Sequence, residues 1–117
     1  MKALAEQGYA YPQFGLGAMY EHGRGVPQDD AKAVYWYRKA AERGHVDAHY
    51  YLAAMYAKGQ GVEQSDSQAY AWWSAAAENG YSSAAKARGT LASYMSERDL
   101  AKAKKLAKEY WIKYVLE

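Results

Sequence analysis

A repeat of 36 residues is the feature of this sequence that most limits its possible folds. When residues 8–43 are laid over residues 44–79 without a gap, 15 of 36 positions are identical. The identical pairs include Leu16/Leu52, Gly23/Gly59, Gly25/Gly61 and Trp36/Trp72. A period of this length predicts a solenoid, in which each unit buries its apolar face against the next. Because the whole chain has only 117 residues, the units must share one core.

The alignment also sets the expected repeat boundaries. We predict the end of an incomplete repeat over residues 1–7, full repeats over 8–43 and 44–79, and a degenerate repeat with a C-terminal capping helix over 80–117. Since the first segment matches only the end of a repeat, we interpret Met1 as an added start. We then expect Leu16 and Met19 to be exposed at this N-terminal end, where they would promote self-association.

Glycine and cap residues divide each full repeat into two helices. Gly23 and Gly59 follow periodic apolar segments and predict helix C-caps, whereas Asp29 and Ser65 predict N-caps. The spacing from Ser65 to Gln68 predicts a reciprocal capping box. We expect an all-α fold with helices near 9–22, 30–43, 45–58, 66–79, 81–94 and 97–114. Trp36 and Trp72 occupy equivalent positions, so both should be largely buried between helix pairs.

Composition narrows the classes of function. The chain has 15 basic and 13 acidic side chains, and this small excess gives no reason to expect nucleic acid binding. It has no cysteine, which excludes disulfides, thiolate chemistry and cysteine metal sites. Its aromatic residues are mostly tyrosines, 13 of them beside one phenylalanine, so they combine apolar area with a polar tip. The sequence shows no transmembrane segment and no signal peptide, and it leaves the compartment unassigned.

The segment LGAMYEHGRGVPQDDAKAVYWYRKAAERG, Leu16 to Gly44, resembles the Sel1-like repeat (SLR) family, a relative of the tetratricopeptide repeats. The likeness rests on the L-G-x-x-Y pattern, the G-x-G-V turn, the W-x-x-x-A-A-E spacing and the 36-residue period. It implies a right-handed α-solenoid of stacked antiparallel helix pairs. It also implies a non-enzymatic scaffold that binds a protein or peptide in a concave groove lined by the first helix of each pair.

Carried over position by position, the resemblance predicts a set of groove residues. They combine aromatic rings with isolated charges of both signs, which suits a peptide ligand. The predicted set is Tyr11, Phe14, Glu21, His22, Asp47, Tyr50, Tyr51, Lys58, Lys86 and Tyr94. The alternative is that several of these tyrosines pack between helices instead.

Three motifs suggest other chemistry. Ser83 and Lys86 have the S-x-x-K spacing of penicillin-recognising hydrolases, but no S-D-N or K-T-G triplet accompanies them. His45 and His49 lie one helical turn apart, a spacing that can hold a metal, although a pair of surface histidines is the simpler expectation. The G-x-G turns lack the preceding strand and third glycine of a phosphate-binding loop. We therefore predict no catalytic residue, no metal and no cofactor.

The last predicted helix has a basic side opposite an apolar stripe. The lysines are Lys102, Lys104, Lys105, Lys108 and Lys113. As a cap, this helix would keep the end of the solenoid soluble. The alternative is that it binds an acidic partner or anionic lipid.

Overall fold

The computed structural model describes residues 2–116, with side chains from Leu4 onward, and this part of the chain contains helices and no strands. The helices are α1 (Lys2–Glu6), α2 (Ala10–His22), α3 (Asp30–Glu42), α4 (Val46–Lys58), α5 (Asp66–Glu78), α6 (Ser82–Ala92) and α7 (Glu97–Tyr110). A π-helical segment, Trp111–Leu116, continues α7. The all-α prediction and the six expected helices are confirmed, and none of the described helices is long and apolar enough to cross a bilayer.

The helix ends follow the predicted cap chemistry with one exception. Gly23 and Gly59 close α2 and α4 in the left-handed conformation, with φ of 66° and 67°. The Ser65 side chain accepts a hydrogen bond from the backbone N–H of Gln68, as expected for an N-cap. The reciprocal capping box is wrong, because the Gln68 side chain accepts from the Tyr110 hydroxyl at 2.8 Å instead. That side chain therefore ties α5 to the last helix.

The helices stack as a solenoid of antiparallel pairs. α2 packs with α3 and α4 with α5, and successive pairs meet through α3 with α4 and α5 with α6. Alanines at these crossings, among them Ala40, Ala53 and Ala76, are fully buried and let the helices approach closely. Tyr37 and Trp72 fill the remaining space. Each pair is therefore the packing partner of its neighbour, as the repeat predicts.

The last helix leaves this regular pattern. α7 packs mainly along α5, and the carbonyl oxygen of Tyr114 in the π-helical segment lies close to Gly44, in the turn between α3 and α4. Trp72 consequently lies between His49 on one side and Tyr110 and Tyr114 on the other, at ring-centroid distances of 5.4, 4.5 and 5.3 Å. The end of the chain thus supplies the aromatic cover of the second repeat.

The exposure predicted for the N-terminal end of the first repeat is wrong. Leu16 is only 3% exposed and Met19 is partly buried, and α1 packs against α2 at this end of the solenoid. The exposed apolar side chains near the N-terminal end are instead Leu4, Tyr9 and Tyr11. Self-association there stays a prediction, which sedimentation at high protein concentration tests. Trp72 is buried as predicted, but Trp36 is only partly so.

The second G-x-G turn packs against the preceding repeat, and this contact predicts unequal effects of two matched substitutions. Gly25 and Gly61 have φ of 75° and 72°. A Cβ at Gly61 would collide with the backbone of Asp30, whereas one at Gly25 would meet only the flexible end of Met19 at 3.5 Å.

We expect Gly25→Ala to lower the free energy of unfolding by about 1 kcal/mol through backbone strain, and Gly61→Ala by about 2 kcal/mol through strain and steric overlap. Urea unfolding of both variants measures the difference. Equal losses would mean that the second turn does not carry the contact between repeats.

Candidate partner-binding groove

The first helices of the repeats bring six aromatic rings into one continuous row. Consecutive ring centroids are 4.8 to 5.8 Å apart. We call this the aromatic row, and in order it comprises Tyr11, His45, Phe14, Tyr51, Tyr50 and Tyr81. It joins α2 and α4 to the turn before α6. Four of the predicted groove residues therefore lie together although their sequence positions span two repeats.

The aromatic row has both core-facing and solvent-facing members. Phe14 and Tyr50 are partly buried and pack against the core, where Phe14 contacts Tyr37 and Tyr50 contacts Trp73. Tyr11 is 74% exposed, and Tyr51 is also accessible. The repeat explains this division, since Phe14 and Tyr50 are equivalent positions. The buried rings position the exposed ones.

An apolar hollow lies between α4 and α6, beyond the aromatic row. Its volume is about 360 Å³, and it is lined by Ala57, Trp73, Ala87, Thr90, Leu91 and Tyr94. Tyr94 is 84% exposed at its edge. An accessible ring beside an apolar depression is the arrangement in which a partner side chain can be covered on several sides.

Two of the predicted charged groove residues interact with other side chains of the chain. The Tyr37 hydroxyl donates a hydrogen bond to Glu21 Oε1 at 2.6 Å. Burial, together with the Glu21 carboxylate, raises the pKa of Tyr37, which keeps this hydroxyl protonated as the donor. His22 Nε2 lies 3.8 Å from Glu21 Oε1. Glu21 therefore links α2 to α3.

The remaining charged candidates are separate from the aromatic row. Lys58 is exposed at the end of α4, Lys86 is exposed in the middle of α6, and Asp47 is partly buried in the first turn of α4. None of the three makes a hydrogen bond or ion pair through its side chain within the described residues. Their charges are available to a ligand.

The surface includes several side chains that the sequence pattern did not predict as groove residues. His45 and Tyr81 lie in the aromatic row, and Trp73 and Leu91 line the hollow. The repeat contained a usable signal for two of them, because Tyr81 lies 36 positions after His45. Trp73 and Leu91 could not be assigned from spacing, because their orientation depends on how α6 packs against α5.

His45 and His49 do not form the surface pair that the spacing suggested. His49 is fully buried, and its Nε2 donates to the Ala41 carbonyl at 2.8 Å. Burial lowers the pKa of His49 to about 4. His45 caps α4 by accepting from the backbone N–H of Ala48 through Nδ1. No cluster of three or more His, Cys, Asp or Glu side chains suited to a metal occurs among residues 4–116.

The residues of the other sequence motifs are exposed. Ser83 and Lys86 are both exposed on α6, and in the described part of the chain no hydrogen bond joins them. The lysines of α7 are exposed too. Lys104 and Lys108 border a cavity of about 250 Å³ between α5, α6 and α7, where Arg88 pairs with Glu78 at 3.2 Å.

Comparison with known proteins supports the architecture. The Sel1 repeat family model matches residues 13–45 and 46–81. The fold resembles a crystal structure of a protective antigen with an SLR fold from uropathogenic Escherichia coli strains, with 34% identity and a TM-score of 0.92 over 95% of this chain and 24% of that one.

It also resembles a Sel1 repeat protein from Oxalobacter formigenes, with 38% identity and a TM-score of 0.73 over 74% of this chain and 25% of that one. The chain thus spans about a quarter of the length of either structure. No match was found among curated proteins.

Proposed function

Because this chain belongs to the Sel1 repeat family, whose members are typically non-enzymatic scaffolds for protein–protein interaction, we propose that it binds an extended segment of a partner protein along its first helices. The binding surface runs from the aromatic row to the apolar hollow. This surface would extend from Tyr11 in α2 to Tyr94, just after the end of α6.

The observation that carries this proposal is the continuity of accessible rings and apolar depression across successive repeats. Tyrosine contributes a large contact area while losing little conformational entropy on binding, which makes it an effective interface anchor. Tyr11 and Tyr94 are the most exposed large apolar side chains in the described part of the chain. Burying them against a partner would remove the most apolar surface from water.

The two unpaired lysines of the predicted groove set favour a particular ligand. Lys58 lies on α4 and Lys86 on α6, and neither has an acidic partner within the described residues. Rim charges of one sign steer a ligand of the opposite sign and set its register. We therefore expect acidic residues in the bound segment, on the side that faces these lysines.

Selection of a displayed peptide library on the purified chain, followed by affinity measurements, tests this proposal. Replacing both Tyr11 and Tyr94 with alanine should weaken binding of selected peptides by about thirtyfold or more, equivalent to about 2 kcal/mol. The melting temperature should change little, because neither ring is buried.

Tyr35→Ala is the matched control, since Tyr35 is 52% exposed but lies on α3, outside the groove. It should leave the affinity unchanged. Tyr50 is a poorer probe than Tyr11 or Tyr94, because it also packs against Trp73 and Tyr81. The proposal fails if selected peptides bind the double variant as tightly as the unmodified chain.

A further inference from the structure

A second open surface lies beside Trp36, outside the groove of the first helices. It is a cavity of about 560 Å³ between α1, the start of α2 and α3. Its lining includes Ala5, Gly8, Gln13, Tyr35, Trp36 and Lys39. We call it the Trp36 cavity. Trp36 is only partly buried there, although its equivalent in the second repeat is 1% exposed.

The two repeats have equivalent side-chain hydrogen bonds at this position. In the first repeat, Gln13 Nε2 donates to the Ala5 carbonyl at 3.1 Å. In the second, His49 Nε2 donates to the Ala41 carbonyl at 2.8 Å. Both donors and both acceptors are 36 residues apart. The Trp36 cavity and the surface around Trp72 are therefore equivalent sites.

The second of these sites is occupied by the chain itself. Tyr110 and Tyr114, one helical turn apart, cover Trp72 at centroid distances of 4.5 and 5.3 Å. A Cβ placed on Gly44 would lie 3.0 Å from the Tyr114 carbonyl oxygen, so the helix end approaches this turn closely. The structure thus shows which kind of segment fits this site: a helix end with two aromatic side chains on one face.

We propose that the Trp36 cavity binds, in trans, a partner helix that presents two aromatic side chains one turn apart, as the C-terminal helix does at Trp72. The final carbonyls of that helix would face Gly8, the equivalent of Gly44. The Arg43 guanidinium lies over Gly8. It can donate to the unpaired carbonyls of a helix C-terminus, which favour a cation.

Two residue differences between the sites determine which side chains the partner helix must displace at the Trp36 cavity. Tyr35 and Lys39 stand where the second repeat has Ala71 and Ala75, both fully buried. Tyr35 meets the Trp36 ring edge-on at 5.0 Å, and Lys39 Nζ lies 5.4 Å from the Tyr35 ring centroid. Both side chains are exposed and can rotate aside, so they weaken binding without closing the site.

A synthetic peptide of residues 97–116, labelled for fluorescence anisotropy, serves as the probe. We expect it to bind the intact chain and to bind Trp36→Ala about tenfold or more weakly. Tyr35→Ala/Lys39→Ala makes the first site resemble the second, so it should tighten binding by about threefold or more. A peptide with Tyr110→Ala and Tyr114→Ala should not bind. This comparison changes only the peptide, so the fold of the protein is unaltered.

The experiment separates this site from the groove of the first helices. The Tyr11→Ala/Tyr94→Ala variant should bind the probe peptide normally. If the probe loses affinity for that variant, or binds Trp36→Ala as tightly as the unmodified chain, the proposal is overturned, because the peptide would then lie in the groove or displace the native helix at Trp72. Self-association that Trp36→Ala abolishes would support the site and identify a second copy as an occupant.

Discussion

Replacing Trp72 with alanine should lower the free energy of unfolding by about 3 to 5 kcal/mol, the usual cost of removing a large buried side chain. The indole is 1% exposed and touches His49 in α4 and Tyr110 and Tyr114 at the end of the chain. Its loss would open a cavity at the point where three parts of the solenoid meet. Urea unfolding followed by far-ultraviolet circular dichroism measures the change.

Trp36→Ala provides the control within the same molecule. The residue type and repeat position are the same, but Trp36 is only partly buried, so we expect a loss of about 1 to 2 kcal/mol. The comparison therefore measures what the C-terminal helix adds to the second repeat. Equal losses for the two substitutions would show that Tyr110 and Tyr114 contribute little to the stability of this region.

The repeat predicted the architecture because it fixes each unit's local structure independently of the rest. Gly23 and Gly59 end their helices with nearly the same φ, and Asp29 and Ser65 both act as N-caps. These features depend on residues a few positions apart, which a sequence displays directly. Stacking then follows, since each pair has an apolar face that only a neighbour can cover.

The sequence is least informative at positions where the repeats are not equivalent in three dimensions. Trp36 and Trp72 match in sequence, but only Trp72 is covered by α7. Gln68 has the spacing of a capping box, but it bonds Tyr110, 42 residues away. Both outcomes depend on where the degenerate end of the chain packs. The repeat pattern cannot predict this packing, because the last part of the chain no longer follows the repeat.

The groove was only partly predictable for a related reason. The aromatic row joins Phe14, Tyr50 and Tyr51 as the repeat pattern suggests. Whether a given ring faces solvent or core depends on the residue opposite, such as Tyr37 beside Phe14. Side-chain type and helical phase alone therefore could not divide the tyrosines into supporting and exposed members.

The fold should lose stability steeply in mild acid because of His49. Its Nε2 donates to the Ala41 carbonyl, and its Nδ1 is buried without a hydrogen-bond partner beside Trp72. A second proton would place a charge in this apolar site. Burial, opposed by the bond to Ala41 and aided by His45, accordingly lowers the pKa of His49 to about 4.

The direction of this pH dependence follows from proton binding by the folded and unfolded states. In the unfolded chain His49 takes up a proton below a pH of about 6.5, whereas in the folded chain it remains neutral down to about 4. Lowering the pH through this interval therefore favours the unfolded state by about 1.4 kcal/mol per unit, or about 3 kcal/mol in all. The stabilisation is complete above 6.5 and lost below 4.

The first repeat supplies the control substitution. Gln13 occupies the position equivalent to His49 and makes the equivalent bond to the Ala5 carbonyl, so His49→Gln should retain the fold without the titrating group. Urea unfolding of both proteins between pH 7 and 4 should show free energies that diverge, with the unmodified chain falling further by about 3 kcal/mol. The rest of the chain is the same in both proteins, so the difference between the two profiles isolates His49. Parallel pH profiles would mean that His49 accepts its proton in the folded state as readily as in the unfolded one.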